Sequence, residues 1–244
     1  MGRLVRGLRV GFIHVPRTGG TWIQQALWYA GLGNHRWCCG TRTSYLPRDH
    51  LLAGHNRKPG LYDVRWRFAF VRYPLAYYES VWKWLVSQKQ QTKIIRPYWR
   101  WHPFMVAHKV WMGCTDFNDW VQKLLDVEPC WYTRLIEGYV GPEGGEFVEY
   151  IGRTESLAQD FVNLCLLMKA DRSAAIKAAT RPPVNNIDKQ VVWTEETKRL
   201  VMDHERVIQR RFYGENEGVR FYGLFRQRYF AKVVAPLVEG AAGS

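Results

Sequence analysis

Between residues 16 and 21 the chain reads Pro16-Arg17-Thr18-Gly19-Gly20-Thr21, a guanidinium followed by hydroxyls and a pair of glycines. Such a loop can turn backbone N–H groups toward a phosphate, and a helix starting there adds about half a positive charge at its N-terminus. This is anion-binding chemistry. It is not the nucleoside-triphosphatase loop, which ends in Gly-Lys-Ser/Thr, because here the basic residue, Arg17, stands at the loop's start. Arg17 would therefore address the terminal anionic group from the other side. Taken alone, the segment also reads as a Gly-rich turn that merely joins two elements. A second set strengthens the anion reading: Arg72 closes an apolar run and Ser80 follows it, spaced to lie about two helical turns on. Arg offers a fork of donors matched to phosphate and Ser adds a hydroxyl, although either residue alone reads as a solvated surface group.

The elements that must carry these residues follow from patterning. Val10 to Val15 is a short apolar run of strand type, and a helix-periodic stretch from Thr21 to Ala30, closed by Gly31, follows the glycine loop. A second unit runs Arg67 to Val71, breaks at Arg72-Tyr73-Pro74 and continues as a helix with Pro74 in its first turn. A third begins at Phe147 to Ile151, passes Gly152-Arg153, and continues as a helix from about Thr154 to Met168. That helix has Leu157, Phe161, Leu164, Cys165 and Met168 on one face. A last long helix opens at Thr194, its N-cap, with Glu195 and Glu196 in the first turn, and runs to about Arg211. Repeated strand-loop-helix units predict an α/β fold with a central parallel sheet flanked by helices. Two stretches, Cys38 to Tyr62 and the basic-aromatic Gln88 to Trp111, read as less regular loops, the place where substrate contacts usually sit.

Composition bounds the partners. A chain of 244 residues, 47% hydrophobic and 23% charged, predicts one ordinary globular domain over 1–244, with a core from about 10 to 212 and a frayed tail from about 235 to 244. Lys and Arg outnumber Asp and Glu by 35 to 22, a formal net charge of +13, so the partners are expected to be anionic. Twelve Trp supply more flat surface than a core of this size needs, as sugars or bases would use. Five cysteines, with Cys38 and Cys39 adjacent, do not suggest a disulfide framework. No segment has the length of an apolar leader or a membrane span, and Arg6 stands where a myristoylation motif wants Ser or Thr. The expectation is a cytoplasmic protein with no membrane contact.

The motifs together carry a resemblance. Phe12-Ile13-His14-Val15-Pro16-Arg17-Thr18-Gly19-Gly20-Thr21 resembles the 5′-phosphosulfate loop of the sulfotransferases that use 3′-phosphoadenosine 5′-phosphosulfate, in particular the carbohydrate branch that includes heparan sulfate O-sulfotransferases. Phe70-Val71-Arg72-Tyr73-Pro74 with Ser80 looks like that family's 3′-phosphate motif, an Arg followed eight positions later by Ser. Ile151-Gly152-Arg153-Thr154-Glu155-Ser156-Leu157, with Asp160-Phe161, is similar to its later strand-to-helix segment, and the likeness spans roughly Val10 to Phe212. It implies a single P-loop-like domain, a donor bound without a metal, and in-line transfer to an acceptor oxygen. By the same resemblance Arg17, Thr18, Gly19, Gly20, Thr21 and Trp22 hold the 5′-phosphosulfate, Arg72 and Ser80 take the 3′-phosphate, and Arg153 belongs to the donor site. Trp22 either stacks on adenine or lies in the core. The family usually has Lys where this chain has Arg17, a swap that keeps the charge but is not conservative at a catalytic position.

Transfer to a hydroxyl needs a proton acceptor, and His suits that role near neutral pH. A Gly-His segment of the carbohydrate sulfotransferases resembles Ala53-Gly54-His55-Asn56, which implies His55 as the catalytic base beside Arg17, with His50, Asp63 and Glu79 behind it. His14, on an apolar strand, suits support of the loop. His35 with Cys38 and Cys39 lacks a second pair at zinc spacing, so no metal is expected. For the acceptor, the stretch Lys93 to Lys109 alternates rings and charge, and Arg96, Trp99 and Trp101 are the expected contacts to a hydroxyl-bearing glycan or small molecule, anionic or neutral. The same stretch also reads as an amphipathic helix with Lys and Arg stems over core Trp. Two other functions compete: a nucleotide-dependent kinase, which would need Mg²⁺ and an acid to hold it, and a basic nucleic-acid-binding module, the less favoured reading, whose loop grips backbone phosphate. Oligomeric state is not legible in the sequence.

Overall fold

Strand Trp66–Val71 (β2) is the middle of the sheet, and its composition says why: Phe68, Ala69, Phe70 and Val71 are all fully buried, the continuous apolar run that a strand covered on both faces requires. The computed structural model describes residues 10–32, 66–88, 104–144, 148–168, 170–182, 190–214 and 220–221. Strand Val10–Ile13 (β1) and strand Tyr150–Arg153 (β3) run parallel to β2 on either side, in register Ile13 to Ala69 and Val71 to Arg153. The short strand Arg220–Phe221 (β4) pairs antiparallel with β3 at the edge. The three parallel strands therefore end on one edge.

Side chains alternate across a strand, so each strand feeds two cores. Phe12, Phe68, Phe70 and Tyr150 face helix Gly20–Leu27 (α1), its continuation as a π-helical turn Trp28–Leu32, and two later helices. Ile13, Ala69, Val71 and Ile151 face the opposite layer. That layer contains helices Pro74–Gln88 (α2), Met105–Trp111 (α3), Phe117–Val127 (α4) and Trp131–Val140 (α5). Helices Leu157–Leu167 (α6) and Arg172–Ala179 (α7) complete the first layer, and Glu195–His204 (α8) with Arg206–Tyr213 (α9) complete the second. The expected parallel sheet between helices is present, as three parallel strands and a helix-rich surround.

The helix starts obey local chemistry. Asp116, Asp171 and Thr194 each accept backbone N–H bonds at the head of α4, α7 and α8. On α6, Phe161, Leu164, Cys165 and Met168 are buried with Leu157 packed against them, the face expected from spacing. Two expectations need correction. The last helix, predicted as continuous from Thr194 to Arg211, is two helices that meet at Glu205, whose carboxylate turns into the core. Over its described residues from Phe104 on, the stretch Gln88 to Trp111 follows the amphipathic-helix reading and not the irregular one: it forms α3, with Phe104 and Ala107 buried against the α2 and α5 layer. Among the described residues no helix is long and apolar enough to cross a membrane.

Candidate anion-binding site

Open parallel sheets bind ligands beyond the carboxyl ends of their strands, and at that edge this fold places the turn after β1, the residue after β2 and the last residue of β3. The first of these is strained into shape. Arg17 sits at φ 67 and Gly19 at φ 83, both left-handed, which costs a non-glycine residue about 1 kcal/mol or more. Thr18, fully buried, ties the turn down by donating its hydroxyl to the Val15 carbonyl at 2.8 Å. That hydroxyl is therefore spent inside the loop, leaving backbone N–H groups as what the loop can offer. Gly19 is the N-cap of α1, with no side-chain cap, so the first N–H groups of α1 have no side-chain acceptor among the described residues. Thr21, in the first turn, is exposed.

Gly20 is a glycine for a different reason from phosphate approach. A Cβ built there would come within 2.1 Å of the His14 ring, which stacks on Phe12 with centroids 5.7 Å apart. His14 supports the loop from below. Trp22 is only 5% exposed, meets Phe161 edge-on at 5.4 Å and donates its indole N–H to the Arg181 carbonyl at 3.2 Å. Of its two expected places, the core is the one it occupies.

Arg17 and Arg72 come together. Arg17 Nε donates to the Ser80 hydroxyl at 3.1 Å, and Ser80 is buried two turns into α2. The Arg17 pKa is pushed down to about 10, first by burial and then by the neighbouring Arg72 charge, while Tyr77 acts in the opposite direction. Among the described residues no carboxylate pairs with either guanidinium. Two like charges partly withdrawn from water, with no carboxylate beside them among the described residues, make this edge a candidate place for an anion.

The supporting frame combines Thr154 and Glu155, from the third motif, with Tyr77 and Tyr132, which sequence reasoning did not single out. Thr154 donates both its N–H and its hydroxyl to the Val71 carbonyl, each at 2.8 Å. Tyr132, at the head of α5, bonds both backbone groups of Arg72. Glu155 accepts the Tyr73 N–H at 2.7 Å. Tyr77, stacked on Tyr132 with centroids 3.8 Å apart, is fully buried and its hydroxyl has no hydrogen-bond partner among the described residues. Burial raises its pKa well above the usual tyrosine range, so it stays a neutral donor next to Arg17 and Arg72. The only sequence signal for Tyr77 was its position one turn before Ser80 on the same face of α2.

Arg153 lies at the same edge, paired with Val71, but has different neighbours. Its N–H donates to the Asp160 carboxylate at 2.6 Å and its guanidinium stands 5.9 Å from the Tyr213 ring centroid. Glu79, one of the reserve bases, accepts from the Trp193 indole at 2.8 Å and faces Lys83 at 3.4 Å, a structural engagement. Lys109 is exposed on α3. His55, His50 and Asp63, together with Arg96, Trp99 and Trp101, lie outside the described residues. Compared with protein-family models, curated proteins and solved structures, the chain finds no match.

Proposed function

We propose that this chain is a sulfotransferase that moves a sulfuryl group from 3′-phosphoadenosine 5′-phosphosulfate to a hydroxyl of a carbohydrate or glycosylated acceptor, on a P-loop-like domain and without a metal. The observation that carries the reading is the Arg17–Arg72 pair. The two guanidiniums come from successive strand-loop-helix units, lie near each other at the carboxyl edge of a parallel sheet, with Arg17 bonded to Ser80, and have no carboxylate partner among the described residues. Such a pair fits a ligand with two separate phosphate-like groups.

In this reading the backbone N–H groups at the head of α1 receive the 5′-phosphosulfate, and Arg72 with Ser80 takes the 3′-phosphate. The donor supplies an activated sulfuryl group: the acceptor oxygen bonds to sulfur, the sulfur-to-bridging-oxygen bond breaks, the hydroxyl proton passes to a base, and the nucleoside bisphosphate leaves. Arg17 opposes the negative charge that grows on the bridging oxygen, which it can do because a fixed cation needs no rearrangement as the charge appears. His55 is the proposed base, and Arg96, Trp99 and Trp101 the proposed acceptor contacts, by the sequence resemblance.

The test is calorimetry of 3′-phosphoadenosine 5′-phosphate on the full chain in the presence of a chelator, with wild type and Arg72→Ala. Loss of a charged hydrogen-bonding partner predicts weakening by about tenfold to a hundredfold. Metal-independent binding that the substitution weakens supports the reading. No binding by the wild type rejects it.

A further inference from the structure

Arg72 stands just past the end of β2, where its backbone N–H and carbonyl have lost the sheet ladder, and buried backbone groups of this kind need partners. One phenol supplies both. The Tyr132 hydroxyl accepts the Arg72 N–H at 2.9 Å and donates to the Arg72 carbonyl at 2.8 Å. With Thr154 on the Val71 carbonyl and Glu155 on the Tyr73 N–H, three consecutive backbone units are fixed by side chains at the point where the Arg72 guanidinium departs.

Tyr132 is itself fixed. It is fully buried, lies flat on Tyr77 with an interplanar angle of 19°, and occupies the first turn of α5. The residue before α5, Cys130, sits at φ 57 and gives no side-chain cap. The missing cap comes from the break between α8 and α9: the buried Glu205 carboxylate accepts the Tyr132 N–H at 3.1 Å and the Thr133 N–H at 2.8 Å. It also accepts the hydroxyls of Thr133 and Tyr78, each at 2.7 Å. A carboxylate at a helix N-terminus is favoured by the helix dipole, and four donors offset the cost of burying it. Burial holds the Tyr132 pKa well above its ordinary value, so the phenol keeps the proton it gives to Arg72.

We propose that Tyr132 is a positioning residue of the anion site, holding the Arg72 backbone so that its guanidinium is presented to a bound phosphate or sulfate, and that Glu205 holds Tyr132 in place. The identity of the anion as a nucleotide 3′-phosphate rests on the sulfotransferase reading; the positioning role does not. Tyr132 touches no ligand and acts through Arg72 alone, so its effect must vanish when the Arg72 side chain is removed.

A double-mutant cycle on the full chain tests this, with inorganic sulfate and 3′-phosphoadenosine 5′-phosphate as probes and thermal melts as a check on folding. Tyr132→Phe keeps the stacked ring and removes the hydroxyl with both its bonds to the Arg72 backbone, and should weaken binding of both probes about tenfold, a part of what those two bonds are worth reaching the guanidinium. In an Arg72→Ala background the same change should have no further effect. Glu205→Gln, a second variant of unchanged size, should show the same pattern with a smaller loss. Equal losses in both backgrounds, or none in the first, overturn the positioning role. Failure of the wild type to bind either probe overturns the site and this proposal together. Sulfate binding without nucleotide binding overturns only the sulfotransferase reading.

Discussion

Arg17 carries two costs at once, a left-handed backbone at φ 67 and a charge whose pKa burial and Arg72 push down to about 10. A base whose folded pKa lies below its unfolded value destabilises the fold at every pH below that value, so the full cost is present at neutral pH. Such costs cluster at functional positions, and an anion bound beside Arg17 and Arg72 would offset the second of them, the repulsion between the two charges. Gly20 makes the opposite point, since its lack of a side chain is demanded by the protein and not by a ligand. Gly20→Ala would place a methyl 2.1 Å from the His14 ring, inside any tolerable contact. The expected loss in urea unfolding is about 1–3 kcal/mol, and wild-type stability would mean that the His14 ring swings aside freely.

Among the elements, α6 shows two local effects in competition. Asp160 lies in its first turn, where the helix dipole favours a carboxylate, and it accepts the Arg153 N–H at 2.6 Å and the Ser156 hydroxyl at 2.9 Å on one oxygen. Burial nonetheless wins and raises its pKa from the ordinary Asp value. An acid raised in the folded state favours folding below its unfolded pKa and loses that contribution as pH rises through the folded value. Asp160→Asn keeps one oxygen acceptor for both donors. Stability of the variant relative to wild type should therefore rise as pH climbs from the ordinary Asp range toward neutrality, a trend that denaturation across pH would reveal. A difference that is flat or falls with pH would contradict the direction of the shift. The split between α8 and α9 belongs to this scale too. The periodic pattern from Thr194 to Arg211 carries no break, and only the uncapped head of α5, distant in sequence, explains why Glu205 turns inward.

For the molecule as a whole, a net charge of +13 draws in many anions weakly, and the Arg17–Arg72 edge is where one should be held tightly. A ligand at a hundred times its dissociation constant raises folding stability by about 2.7 kcal/mol. The melting temperature should accordingly rise more in sodium sulfate than in sodium chloride of equal ionic strength. Most of that difference should disappear in Arg72→Ala, which leaves the general salting effect of sulfate in place. An undiminished difference in the variant would assign the effect to solvent exclusion alone.

The three strand-loop-helix units, the parallel sheet they imply and the spacing of Arg72 and Ser80 on one unit were legible in the chain, because local periodicity and glycine and proline punctuation are properties of neighbours in sequence, whereas the Arg17–Ser80 bond between two units was not. The burial of Trp22, the dependence of Gly20 on His14, the inward turn of Glu205 and the Tyr132 clamp on Arg72 were not. Each arises where two elements separated in sequence fill the same space or complete each other's hydrogen bonds, and spacing along a chain carries no record of either.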